Sequence, residues 1–281
     1  MVSRWCRRLR GMNTSARTAW FRGGFGLRRA RFWVRHLQRD IERDWTIPWT
    51  RAVALSPCER KRIARSIAVF QRGESSEAHH YLAQSARFAG LASDPDFHRA
   101  SQLFVQAENI HATILGRFMV QAGITRCRRS FADGVFRWLR KLADLGWMSR
   151  ALLVAELIAQ EYYPCLREAT NDATLRRICD RVISEEAGHI RFQLERICRV
   201  EAAHSATNVA VRDRLLQLLM MGTACVVYLG HGRVLGVRWS IREFFGRAVC
   251  RQRRALARLR ALRAAAVGGT DTGAACPALC V

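Results

Sequence analysis

Apolar residues recur along the chain at three- and four-residue intervals, the period of amphipathic helices. The first clear stripe starts at Ser56-Pro57-Cys58-Glu59, where a serine cap, a proline at the first helical position and a glutamate three residues after the cap mark a helix start. This helix is predicted to run to about Gly90, with Ile63, Ile67, Phe70, Glu74, Glu77 and Tyr81 facing inward. A second starts at Ser93-Asp94-Pro95 and ends near Gly123, with Phe97, Phe104, Glu108, His111, Leu115 and Phe118 on its inner face. A third spans roughly 147–168, with Leu152, Leu153, Glu156, Ala159, Gln160 and Tyr163 inward; Pro164 is expected to kink or end it. A fourth follows the polar turn Thr170-Asn171-Asp172 and reaches about Val200, presenting Leu175, Ile178, Val182, Glu186, His189 and Gln193.

The connections are short, long and short. Residues 124–148 form the long one, with a minor helix expected over 131–142. One long crossover makes the second and third helices parallel, a connectivity distinct from a simple up-and-down bundle. The expected fold is therefore all-α: a four-helix bundle over 56–204, an arginine- and aromatic-rich extension over 1–55, an apolar helix and a basic helix over 205–265, and a disordered tail over 266–281. Leu215 to Gly232 contains no Asp, Glu, Lys or Arg. That length touches the lower limit for a membrane span, but Gln217, Thr223 and His231 dilute it, so packing against the bundle is the expected role.

The chain has 281 residues and a formal net charge of +24. The charge sits mainly in the flanks: 13 arginines against three acids over 1–58, and ten against two over 233–281. Such flanks fit an anionic membrane surface, an RNA or plain solvation. Ten cysteines are scattered without a Cys-x-x-Cys pair, which excludes a disulfide framework and a zinc ribbon and fits a reducing cytoplasm, with membrane association left open. The N-terminus lacks a continuous apolar segment of the secretory kind, and Met12 is an alternative start.

Two Glu-x-x-His motifs carry the chemistry, Glu108 with His111 and Glu186 with His189. At i and i+3 the two side chains of each motif share a helix face. Each motif also has an inward glutamate upstream at nearly the same distance: Glu77 lies 31 residues before Glu108, and Glu156 lies 30 before Glu186. Folding each pair back at its midpoint brings all six residues to one level of the bundle. Buried carboxylates at such density need cations, and two divalent ions balance four of them. Carboxylate and imidazole donors suit iron or manganese, with zinc also open.

This ligand set resembles the ferritin-like superfamily of di-iron carboxylate proteins, over about residues 59–200. The segment Phe-Gln-Arg-Gly-Glu-Ser-Ser-Glu at 70–77 is similar to a group of bacterial ferritin-like proteins. The resemblance implies two iron ions, or manganese or a mixed pair, with Glu108 and Glu186 bridging and Glu77, His111, Glu156 and His189 as terminal ligands. It implies an oxidoreductase that activates dioxygen or peroxide. The missing Cys-x-x-Cys departs from rubrerythrins and makes a separate electron donor the expectation. Glu74 is an alternative to Glu77 or a neighbour of the metals; Tyr81 and Tyr163, about one turn from the site, are candidate redox or hydrogen-bonding partners, with packing their commoner role. Glu185 falls off the stripe. A homodimer, an RNA-directed hydroxylase and a non-catalytic membrane-associated or scaffold bundle stay open.

Overall fold

The computed structural model describes residues 27–75, 78–127 and 144–268. Every regular element in them is helical: α1 (Ala30–Glu42), α2 (Pro57–Glu74), α3 (His79–Leu91), α4 (Pro95–Gln121), α5 (Leu145–Glu168), α6 (Ala173–Val200), α7 (Ala206–Leu235) and α8 (Ile241–Gly268). The chain is an all-α protein. The expected minor helix over 131–142, the first 26 residues and the tail from 269 lie outside the described residues.

Short polar side chains set the helix starts. Ser56 and Glu59 form a reciprocal capping box at α2. Asp94, Asp144 and Asp172 accept hydrogen bonds from the backbone of Phe97, Trp147 and Leu175 at the starts of α4, α5 and α6. Gly123, at φ +61°, closes α4 in the left-handed region where glycine carries no Cβ penalty.

The first bundle helix departs from expectation. It is not continuous to Gly90: α2 stops at Glu74 and α3 starts at His79. Gly73 is a poor helix former, and the Ser75 hydroxyl donates to the Arg72 carbonyl at 3.0 Å, competing with the helical ladder. Pro164 also behaves differently, because α5 continues through it to Glu168. The carbonyl that Pro164 leaves without an amide partner belongs to Gln160, and the Arg251 side chain donates to it at 3.3 Å. A neighbouring helix thus replaces the lost bond.

α5 packs along α6; α4 packs against α2, α3 and α6; α1 lies on α4; and α7 and α8 cover α5, α6 and α2. A core runs through Ile67, Phe118, Leu157, Tyr162, Ile178 and Leu194. A second cluster joins α1 to α4 and α6 through Trp33, Leu37, Phe104 and Phe192. Part of the N-terminal extension is therefore packed into the fold, pinned by Trp33, whose indole N–H donates to Glu195 at 2.8 Å. At the far end, fully buried Arg150 grips both oxygens of Glu201 at 2.7 Å and reaches Asp213 at 2.9 Å. Arg212 and Arg263 complete this network, tying α5, α6, α7 and α8 together.

α7 is long and apolar enough to cross a membrane by length and composition. Its inner face is embedded in the protein, with Arg212 and Asp213 in the network above and His231 bonded to Ser66. Its outer face exposes Leu215, Leu218, Val226 and Leu229.

The His231 Nδ1 and the Ser66 hydroxyl share a hydrogen bond at 2.8 Å, and the imidazole lies edge-to-face with the Phe70 ring. Burial pushes its pKa down to about 4, with Arg65 adding to the effect. A depressed imidazole pKa means the folded state resists a proton that the unfolded chain accepts. This contribution is complete above the unfolded value of 6.5 and is lost as the pH falls toward 4, about 3 kcal/mol in all. Chemical denaturation of His231→Gln between these limits should show a correspondingly flatter acid dependence than the parent. Identical slopes would remove His231 as the source.

Candidate metal centre

The two Glu-x-x-His motifs meet. α4 brings Glu108 and His111, and α6 brings Glu186 and His189, to a group whose ligand atoms all lie within 4.8 Å of one another. His111, Glu186 and His189 are fully buried. His189 Nδ1 is 2.7 Å from Glu108 Oε1 and 3.4 Å from Glu186 Oε2, and His111 Nδ1 is 3.5 Å from Glu186 Oε1.

These approaches are close without being aligned hydrogen bonds. Glu108 Oε1, both Glu186 oxygens, both His189 nitrogens and His111 Nδ1 are buried without a hydrogen-bond partner. Orphaned buried polar atoms normally cost 1 kcal/mol or more each, by order of magnitude roughly 1–3. Donor atoms from carboxylates and imidazoles that crowd one point and bond nothing else have the chemistry of ligands around a cation. The group can hold a metal ion.

The protonation pattern agrees. Burial opposes a charge on His189, yet Glu108 and Glu186 outweigh it and raise its pKa to about 10. Against the same burial penalty, Glu185 and Glu186 raise His111 well above its ordinary value. Burial raises Glu74 and Glu156 well above the usual carboxylate range, and the charges of Glu108 and Glu186 add to it. Burial would raise Glu186 too, but contacts with Glu156, His111 and His189 hold it low. Without a metal, the cluster retains protons to offset its carboxylates.

Glu156 is buried beside Glu186. Glu77 lies outside the described residues. Glu74, at the end of α2, feels the charges of Glu108 and Glu186 and accepts a hydrogen bond from the Tyr163 hydroxyl at 2.7 Å. Tyr81 is buried under the Arg196 guanidinium, with its hydroxyl facing the Gln193 side chain.

Two groups escaped the sequence pattern. Glu185 is buried, accepts from Arg181 at 3.1 Å, and lies 2.6 Å from His111 Nε2. His111 and Arg181 hold its carboxyl ionised despite burial. An ionised carboxylate only accepts, so His111 Nε2 carries the hydrogen and Nδ1 is turned to the cluster. The signal was present as Glu185-Glu186-x-x-His189, but a residue off its own helix's inner stripe can still meet a neighbouring helix. The second group is His36 with Asp40, 3.3 Å apart on α1. A Cβ at Gly188 would come within 2.6 Å of His36 Nε2, so the glycine inside the motif makes room for α1. Nothing in the arginine-rich extension marked that contact in advance.

No protein-family profile matches the sequence, and neither curated proteins nor solved structures yield a match. Fold and site define the class: an all-helical protein with a buried glutamate–histidine cluster able to hold a metal ion.

Replacing Glu185 by alanine should free His111 and lower the affinity for ferrous or manganous ion about 10–100-fold in a chelator competition, the usual effect of removing such a partner. Unchanged affinity would leave Glu185 a structural partner of Arg181. Affinity in the parent should rise with pH, because the raised His111 and His189 pKa values mean that metal must displace protons.

Proposed function

We propose that this protein is a ferritin-like dinuclear metal protein of iron or manganese, and an oxidoreductase that activates dioxygen or peroxide. The observation that carries the reading is the ring of buried, unpartnered ligand atoms on two Glu-x-x-His motifs from facing helices. Glu74 and Glu156 flank that ring, and each senses both Glu108 and Glu186. The holding set is then Glu108, His111, Glu186 and His189, with Glu156 and either Glu74 or Glu77. Four carboxylates match the charge of two divalent ions. When bound, the pair would supply electron transfer to an oxygen species at open coordination positions.

The chain's own residues have separate tasks. Glu185 orients His111 through Nε2. Tyr163 holds Glu74. Phe104 lies edge-on to the His189 ring, 5.1 Å between centres, and helps to keep water from that side. Electrons would come from a separate donor.

Elemental analysis tests this on protein purified without added metal, beside Glu108→Ala/Glu186→Ala. About two iron or manganese ions per chain in the parent and none in the variant are expected. A folded parent that holds no metal and takes up no ferrous iron would instead make the cluster a polar core and the protein a scaffold bundle.

A further inference from the structure

Two turns along α6 from His189 lies a second group of buried polar atoms that make no aligned hydrogen bond. Glu186, His189, Gln193 and Arg196 follow one another at three- and four-residue steps and so share a face. Gln193 is fully buried and faces the Tyr81 hydroxyl, though neither its amide nitrogen nor its amide oxygen makes an aligned hydrogen bond. Arg196 is 2% exposed; its Nη1 donates to the Ser101 hydroxyl at 2.5 Å, while Nε and Nη2 donate to nothing.

The open atoms of Arg196 form a definite shape. Nε and Nη2 lie on one edge of the guanidinium, the fork that takes both oxygens of a carboxylate. The same protein shows that edge filled: Arg150 donates through Nε and Nη2 to the two oxygens of Glu201, each at 2.7 Å. No carboxylate of the described residues bonds Arg196. The neighbouring Glu195 is taken by Trp33 and the Arg28 backbone. Its other contacts are aromatic faces, Phe97 at 4.1 Å, Tyr81 at 4.8 Å and Phe192 at 5.5 Å. Stacking stabilises a guanidinium but satisfies none of its N–H groups, and a buried charge without an anion is expensive. Burial lowers the Arg196 pKa accordingly, though the group stays cationic.

The position links this edge to the metal cluster. The Phe104 ring lies 5.5 Å from Phe192 and 5.1 Å from His189, so one aromatic wall joins Arg196 to the ligand histidine. We propose that the open Nε–Nη2 edge of Arg196 binds the carboxylate of a small organic acid with an apolar body, and that this acid is the substrate of the adjacent centre. The carboxylate site stands on the open edge of Arg196 alone; its role as a substrate site rests on the metal reading above.

Calorimetric titration of metal-free full-length protein with benzoate and hexanoate tests the site, with benzamide and hexanamide as uncharged controls. Both acids should bind and the amides should not. Arg196→Met should weaken the acids at least about ten-fold, and Gln193→Leu should weaken them less. Acids that fail to bind at millimolar concentration, or bind parent and Arg196→Met alike, would overturn the site. Acid binding by a protein that proves unable to hold metal would keep the carboxylate site and remove its substrate role. Failure to bind acids by a protein that does hold metal would remove the carboxylate site and leave the metal centre untouched.

Discussion

The constraint on which the arrangement depends is the concentration of negative charge at one level of the helices. Glu108 and Glu186 bring carboxylates together where water is excluded, and Glu74 and Glu156 add two more. In a low-dielectric interior these groups repel unless protons or metal ions stand between them. The raised pKa values of His111, His189, Glu74 and Glu156 record the proton solution to that problem. Divalent ions solve it better, because they also satisfy the lone pairs that protons leave orphaned. The rest of the protein holds this unfavourable cluster in place.

That support comes from outside the helices that carry these glutamates as well as from within them. α1 packs on α4 through Trp33 and Leu37 and sets His36 against Gly188. α8 lends Arg247 and Arg251 to Glu161 on α5, and Arg251 also covers the carbonyl that Pro164 frees. The Arg150–Glu201–Asp213 network fastens α7 and α8 to the bundle's end. Some of the basic character therefore has an internal use. Arg150, Arg212, Arg247, Arg251 and Arg263 neutralise buried or half-buried carboxylates, so net charge overstates how much of the arginine faces a partner.

Much of this was legible in the sequence, for local reasons. The starts at Asp94 and at the turn ending in Asp172 were readable because a short carboxylate satisfies orphan amides, whereas the Asp144 cap was absorbed into the long connection. The Glu-x-x-His motifs are readable because i and i+3 define a face without tertiary information. The break at Ser75 was not, because the apolar stripe continues in register through Gly73 and conceals the competition from the Ser75 hydroxyl. Pro164 was misjudged for the opposite reason: its local penalty is real, and the compensation comes from Arg251, 87 residues away along the chain. Glu185 and Arg196 belong to a third kind. Each is off or beyond the expected ligand stripe, and only the packing of α4 and α3 against α6 shows which of them is paired and which is open.

The central claim is that two metal ions share one cluster. X-ray absorption at the metal edge of iron- or manganese-loaded protein tests it most directly, since the spectrum reports the distance from one metal to the next. The account predicts a metal neighbour at about 3.5–4 Å, with nitrogen and oxygen as the nearest atoms. A spectrum with no metal neighbour, or with sulfur in the first coordination sphere, would contradict it.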